Sequence, residues 1–401
     1  MPDKKPGAIV VGGGPAGLTA AIALAAGGVD TVLVGKRPAA QDNRTTALLS
    51  GSVTALATLG VWDLCAEEAA PLRVMRIIDD TDRLWRAPEV KFDAQEIGLE
   101  AFGHNIENRH LVAALDRRAR GLAGLRIVED EVSEVSPGER SASVALKSGE
   151  TLEAQLIVGA DGRRSLCRDA AGIGLDEQEY PQVALTLCLR HSRRHHDTST
   201  EFHTPSGPFT LVPLPGNRSS LVWVLDPADA DDLAALDDDA LSEEIERAAH
   251  SILGKIEVES GRGLFPLTRA SAKRFAANRV ALVGEAAHVI PPIGAQGLNL
   301  GLRDAATIGE LAVAAHRTGR DLGGINTLVA YDRMRRADVG GRTVAVDLLN
   351  RSLLSDFLPV QGARGLGLYA IDRIGPLRRM VMREGVAPRA AQPKLMRGEA
   401  L

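Results

Sequence analysis

The chain has 401 residues, a net charge of -5, 45% hydrophobic residues and only 3% aromatics, which is length enough for two or more domains with their own cores. Mean hydropathy is -0.03 and no apolar run approaches the ~18 residues of a spanning helix, which excludes a membrane-embedded chain, while basic residues without interleaved aromatics exclude a nucleic-acid binder. Cys65, Cys167 and Cys188 are odd in number and form no CxxC pair, so neither a disulfide framework nor a zinc site is expected, only three reduced thiols in or near the core.

MPDKKPGAIVV turns to strand too soon for a signal peptide, which predicts a cytoplasmic protein or one on the inner face of a membrane. Ala8 to Val11 reads as a buried parallel strand, then comes Gly12-x-Gly14-x-x-Gly17, then an Ala/Leu-rich helix starting near Pro15 and Ala16. A dinucleotide pyrophosphate needs that order. Gly12 permits the tight turn, Gly14 lets the backbone approach the phosphates, Gly17 lets helix and strand pack closely, and the helix start supplies unpaired N–H groups. The same pattern asks for Asp or Glu at the end of the second strand, to bind a ribose hydroxyl. TVLVGKR has Gly35 there, followed by Lys36 and Arg37. Something else must hold that ribose; Lys36 is a candidate cofactor contact, and two cations after a strand suit either a 2′-phosphate or plain solvent.

Strand and helix signals alternate to about Leu72. A helix from about His110 to Arg120 leads to another strand, and TLEAQLIVGADGRRSLCRDAAG reads as strand, turn and helix start. VALTLCLR, FTLVPLPGN and SSLVWVLD are short apolar or β-branched runs bounded by Pro, Gly and Asn, the signature of an antiparallel sheet. Between them lie His191, His195, His196 and His203. Adjacent histidines on a strand point to opposite faces, a poor metal geometry, so a solvated hairpin is the better reading. Asp226 to Glu246 reads as an acidic loop leading into a solvated helix. From Arg279 to Ala306 the chain again runs strand, glycine-rich turn, helix. From Arg333 onward 13 Lys or Arg face six Asp or Glu, an excess of +7 that leaves -12 on the preceding part. Leucines and other apolar residues among these arginines, including Phe357, Leu358 and Leu366, fit either a cationic amphipathic surface for anionic membranes or a helical pair packed on the body. The predicted division is residues 1–72, 101–175 and 262–340 as one discontinuous domain, 73–100 and 176–261 as a second, and 341–401 as a C-terminal helical region.

GGGPAG, DNRTTALLSGSVTALATLGVWD (Asp42 to Asp63), ENRHLVAAL (Glu107 to Leu115), VGADGRRS (Val158 to Ser165) and VGEAAHVIPPIGAQGLNLGLRDA (Val283 to Ala305) together resemble the single-component FAD-dependent aromatic hydroxylases of the para-hydroxybenzoate hydroxylase fold. More narrowly, with YDRMRRADVGGRTVAVDLLNRSLLSDFLPVQGARGLGL, the set is similar to the ubiquinone-biosynthesis hydroxylases that oxidise polyprenylated phenols. The motifs run from near residue 8 to near residue 370 in the family's order. The resemblance implies an α/β fold: a Rossmann-like FAD-binding domain, an inserted antiparallel-sheet substrate domain and a C-terminal helical region.

It also implies site roles. Gly12, Gly14 and Gly17 bind the FAD pyrophosphate, Arg44 contacts the ribityl or phosphate region, and Arg109 reaches the phosphates. Asp161 and Gly162 serve FAD and nicotinamide contacts together. Glu285 stands where the family has Asp on the ribityl hydroxyls, one methylene longer. Pro291 and Pro292 line the isoalloxazine edge and, with Gly294, are the expected catalytic positions. The backbone from Gly294 through Gln296, Gly297, Leu298 and Asn299 faces the flavin N1/O2 region, where a helix N-terminus stabilises negative charge. His288 is read as a structural hydrogen bonder. A lone arginine is ordinarily a surface ion-pair partner; motif context is what assigns Arg44 and Arg109 to the cofactor.

The implied reaction is hydroxylation of a polyprenylated phenol through a C4a-hydroperoxyflavin, with O2 and with NAD(P)H or a ferredoxin as electron donor. The protein must then exclude water, orient the ring and favour the phenolate. Other quinone-biosynthesis proteins and the inner face of a membrane are the implied partners. Two alternatives remain at this point: a non-catalytic flavin- or lipid-binding subunit, with Gly35 and Glu285 as signs of decay, and a same-fold prenyl-lipid reductase.

Overall fold

The computed structural model describes residues 5–36, 44–81, 88–291, 295–354, 369, 373–386 and 392–401, with backbone alone for 342–354 and 386. Ala8–Val11 is a strand with all four residues buried, as continuous hydrophobicity requires of a strand in a parallel sheet. It lies inside a six-stranded sheet ordered 276–277, 280–282, 156–159, 8–11, 31–34, 125–128. All pairings are parallel except that of 276–277 with 280–282. Five parallel strands thus end at one carboxyl edge, the place where open parallel sheets bind ligands.

The helices Pro15–Ala26 and Gln296–Arg317 pack on each other along nearly bare surfaces. A Cβ on Gly301 would lie 3.3 Å from the Ala16 Cβ, and one on Gly309 3.0 Å from the Ala23 Cβ. Small residues on both sides allow this approach at interior packing density. The seam fixes the first glycine motif to the second.

The three apolar runs form strands Leu175–His191, Pro208–Leu214 and Arg218–Leu225 of a nine-stranded, mainly antiparallel sheet. Val74–Asp79 and Val90–Asp93 join its far edge, the former parallel to Thr198–His203. Leu185, Leu187 and Leu189 alternate into a second core with Phe202, Phe209 and Leu221, backed by Leu241 and Ile245 of helix Asp238–Ala248. The acidic segment departs from the loop expected of it: Pro227–Ala235 is also a helix, because Pro227 is preset for a first helical turn and Asp229 complements the helix N-terminus. The histidine hairpin turns through left-handed His196 and Asp197, but it is not merely solvated. His195 Nε2 lies 3.0 Å from the Leu214 carbonyl and 2.9 Å from that of Gly216, and His191 and His203 are buried.

Helix Gly375–Val386 docks on the edge of this sheet. Arg378 reaches Glu96 at 2.7 and 2.8 Å and lies over Phe92, while Met382 is buried with Ala94 and Phe102. Lys394–Arg397 then returns to the first domain, where the Lys394 N–H donates to Glu310 at 2.9 Å. Phe357, Leu358 and Leu366 lie outside the described residues. All three cysteines are buried thiols outside any disulfide. Burial pushes the Cys65 thiol up to about 11 and the Cys188 thiol up to about 12, with Cys167 also raised, so none is a ready thiolate.

Candidate cofactor and active site

The turn after the first strand is shaped by contact. Gly12 has φ +117° and a Cβ there would lie 2.1 Å from the Ala160 carbonyl oxygen; one on Gly17 would lie 2.0 Å from that of Gly12. Gly14 differs, with nothing within 4 Å of a Cβ, and no side chain caps the helix it starts. Two glycines are therefore required by packing and the third leaves an open cradle before unpaired helix N–H groups. The cradle opens into a cleft of about 530 Å³ lined by Gly12 to Gly14, Gly35, Lys36, Asp130, Glu131, Asp161 and Arg164, within the size range of small-molecule sites. Shape and donors fit a dinucleotide.

At the end of the second strand, a Cβ on Gly35 would lie 2.5 Å from the Gly13 nitrogen. The position is bare for a steric reason. Lys36 is ion-paired with Glu131, which also holds Lys147; Arg37 lies outside the described residues. Asp161 is spent within its own turn, its Oδ1 accepting from Ser165 Oγ at 2.6 Å and its Oδ2 from the Cys167 N–H at 3.0 Å. Gly162 follows with φ +80°.

The second glycine motif converges on the same edge. Glu285, on the turn Gly284–Ala286 after strand 280–282, is exposed and 3.6 Å from Arg163, which follows strand 156–159. Pro291 is buried; Pro292 and Gly294 lie outside the described residues. Helix Gln296–Arg317 begins at left-handed Ala295 with no side-chain cap, so the first-turn N–H groups, including those of Gly297 and Leu298, have no acceptor within the helix. Asn299 is a clamp: its Oδ1 accepts from the Leu49 N–H at 2.8 Å, and its Nδ2 donates to the Ala47 carbonyl at 2.8 Å and the Ala295 carbonyl at 2.6 Å. Both amide hydrogens are used, which fixes the helix start against strand Thr45–Leu49. Arg44, just before that strand, is exposed with its guanidinium 6.0 Å from the Phe265 ring centre. Arg109 lies elsewhere, on the first turn of helix Asn108–Arg120. It bonds buried Glu107 at 2.9 Å, and Glu107 also takes Arg218 of the large sheet at 3.2 Å; Arg109 does not line the nucleotide cleft.

The keystone of the second motif was not singled out from the sequence. Asp304, fully buried in the long helix, accepts from the Gly284 N–H at 2.9 Å and lies 2.7 Å from His288 Nε2 and 2.6 Å from Arg335 Nε. Burial pushes its carboxyl up, but His288, Arg335 and the Gly284 N–H outweigh that and hold it below the usual range. Arg335 also bonds Asp338 at 2.7 Å. The structural role read for His288 is thus specific: it ties the turn carrying Glu285 to the helix. The signal in the sequence was an Asp between Leu302 and Ala305 on an apolar helix face.

The FAD binding domain family matches residues 6–344. The chain is 37% identical to ubiquinone hydroxylase UbiL of Rhodospirillum rubrum, covering 100% of this chain and 94% of that protein. It is 33% identical to the 3-demethoxyubiquinol 3-hydroxylase of Escherichia coli, covering 93% and 96%. Among solved structures, the p-nitrophenol 4-monooxygenase of Pseudomonas putida superposes with a TM-score of 0.78 at 19% identity, covering 96% of this chain and 99% of that one.

Proposed function

This chain belongs to the FAD binding domain family, and from that premise we propose that it hydroxylates the aromatic ring of a polyprenylated phenol in ubiquinone biosynthesis, with FAD as cofactor and O2 as the oxygen source. The observation that carries this reading is the meeting of two glycine turns at one sheet edge, with an open cradle at Gly14 and the Glu285 carboxylate on the same rim. When bound and reduced, the flavin supplies the two-electron activation of O2.

The chain's own residues supply the rest. The Gly12 to Gly17 turn, with Pro15 and Ala16, holds the pyrophosphate, and Glu285 accepts the ribityl hydroxyls. Arg44 adds a cation on the flavin side. Arg109, paired with Glu107 and outside the lining of the nucleotide cleft, is given no phosphate contact in this reading. The first-turn N–H groups from Gln296 to Leu298 stabilise negative charge on the reduced ring, and the clamp of Asn299 keeps them aimed. Buried Pro291 shields the reacting edge from water.

The reaction is placed by this reading on the inner face of a membrane. Helix 375–386 turns Arg378 and Met382 inward. Outward it leaves Met380 56% exposed, with Ile374 and Val381 exposed beside Arg373, Arg379 and Arg383. An apolar face bordered by arginines suits an anionic bilayer surface. Among the described residues no helix is long and apolar enough to cross a membrane.

The deciding experiment is mass spectrometry of quinone-pathway lipids in a strain lacking the gene. Accumulation of a prenylated phenol one oxygen short supports the hydroxylase, and the intermediate names the carbon; unaltered ubiquinone with no intermediate counts against it. Substrate-stimulated oxygen consumption by the purified protein separates an enzyme from a non-catalytic subunit. Co-sedimentation with anionic liposomes should be lost in the Met380→Asp/Val381→Asp variant if helix 375–386 is the docking face.

A further inference from the structure

We propose that Glu131 accepts the ribose hydroxyls of the adenosine half of the cofactor, doing from just beyond the tip of strand 125–128 what an acid at the tip of the second strand would otherwise do. The inference rests on the FAD reading and assigns one of its contacts.

The second strand cannot carry that acid. A Cβ on Gly35 would lie 2.5 Å from the Gly13 nitrogen, and one on Gly13 would lie 2.7 Å from the Lys36 carbonyl oxygen. Any side chain at Gly35 would press on the turn that must hold the pyrophosphate. The neighbouring strand reaches the same place. Val34 pairs with Val128, and the Gly35 N–H donates to the Val128 carbonyl at 3.1 Å, so the chain leaving Val128 runs along the rim of the cleft beside Gly35. Asp130, Glu131 and Val132 all line that cleft with Gly12 to Gly14.

Of the two carboxylates, Asp130 is committed to the backbone. Its Oδ1 accepts from the Glu131 N–H at 2.7 Å and its Oδ2 from the Ser148 N–H at 3.2 Å, which shapes the turn. The Lys147 N–H donates to the Glu131 carbonyl at 2.8 Å, fixing the backbone from which the Glu131 side chain springs. That carboxylate meets two lysine ammoniums, Lys36 and Lys147. A carboxylate offers about four acceptor positions, so two remain for a vicinal diol. An unphosphorylated ribose would gain two charge-assisted hydrogen bonds from this carboxylate.

The test uses the full chain stripped of flavin, with ADP and 2′,3′-dideoxy-ADP competing against FAD. The wild-type chain should prefer ADP by ~10-fold or more, the worth of a hydrogen bond to a charged group. Glu131→Ala should bind dideoxy-ADP within about two-fold of wild type, which shows an intact fold, and should lose the preference for ADP. Glu131→Gln, a neutral acceptor of the same length, should keep part of it. Retention of the full preference in Glu131→Ala, or no preference in the wild type, overturns the assignment while leaving FAD binding intact. Failure of the wild-type chain to bind FAD at all would instead overturn the reading on which it rests.

Discussion

Replacing Asp304 by Asn keeps the shape of the side chain and removes its charge. Asp304 is 0% exposed and Arg335 is 2% exposed, so the variant strands a buried guanidinium whose remaining carboxylate partner is Asp338, with a side chain 22% exposed. Breaking a buried ion pair costs about 3–5 kcal/mol. The surviving Asp338 contact and the amide's ability to accept one of the three donors favour the lower end, ~3 kcal/mol. With an unfolding entropy of about 2.1 cal/mol/K per residue over the whole chain, that is a fall of about 4 °C in Tm. Thermal unfolding should be followed on flavin-free protein, because ligand binding adds its own stabilisation. The double variant Asp304→Asn/Arg335→Met removes the stranded cation and should recover more than ~1 kcal/mol relative to additivity. A loss below ~1 kcal/mol for Asp304→Asn, or strict additivity in the double variant, would refute the claim that an uncompensated charge dominates.

The same carboxylate sets an acid limit. Its native pKa is depressed, so its contribution is complete above the unfolded value of ~3.9 and is lost as pH falls through the lower native value. Wild-type Tm should therefore drop more steeply than that of Asp304→Asn below about pH 4, measured by calorimetry across pH 2–6; parallel curves would contradict this. Gly35→Asp restores the missing acid in sequence but puts a Cβ against the Gly13 nitrogen. It should lower both Tm and FAD retention on gel filtration, and tighter FAD binding would show the steric argument wrong. Asn299→Ala removes the clamp on the long helix's start and should cost ~1–3 kcal/mol and weaken FAD binding; fluorescence titration showing unchanged affinity would deny that the clamp aims the first-turn N–H groups.

What the sequence could reveal was what is encoded locally. Gly12 and Gly17 are spaced by the turn geometry they serve, and the apolar runs at Ala8 and around Leu185 to Leu189 carry their strand period in the residues themselves. The nucleotide turn, the two sheets and the second glycine motif were legible for that reason. Gly35 looked like a departure from pattern because nothing in a linear chain shows the Gly13 nitrogen pressing on it. Glu131 was silent because its relevance depends on strand 125–128 lying beside strand 31–34. Asp304 lay inside a quoted motif, yet its meaning depends on Arg335 a helix away. The start of the acidic segment looks like a loop leading into a helix because charge density masks Pro227 as a helix starter, and the histidines look solvated because their carbonyl partners, such as Leu214, come from the facing strand.

The bare seam between helices 15–26 and 296–317 has a consequence for how the protein is made. The nucleotide turn after strand 8–11 emerges from the ribosome long before the helix that packs on Ala16 and Ala23 and the strand 280–282 that joins the sheet. At about 5–20 residues per second the apolar face of the first helix waits roughly 15–60 s for its partner, a window in which a chaperone can bind it. Stable flavin loading must then wait until helix 296–317 has emerged, and a nascent chain truncated before residue 296 should bind no flavin, however perfect its first glycine motif.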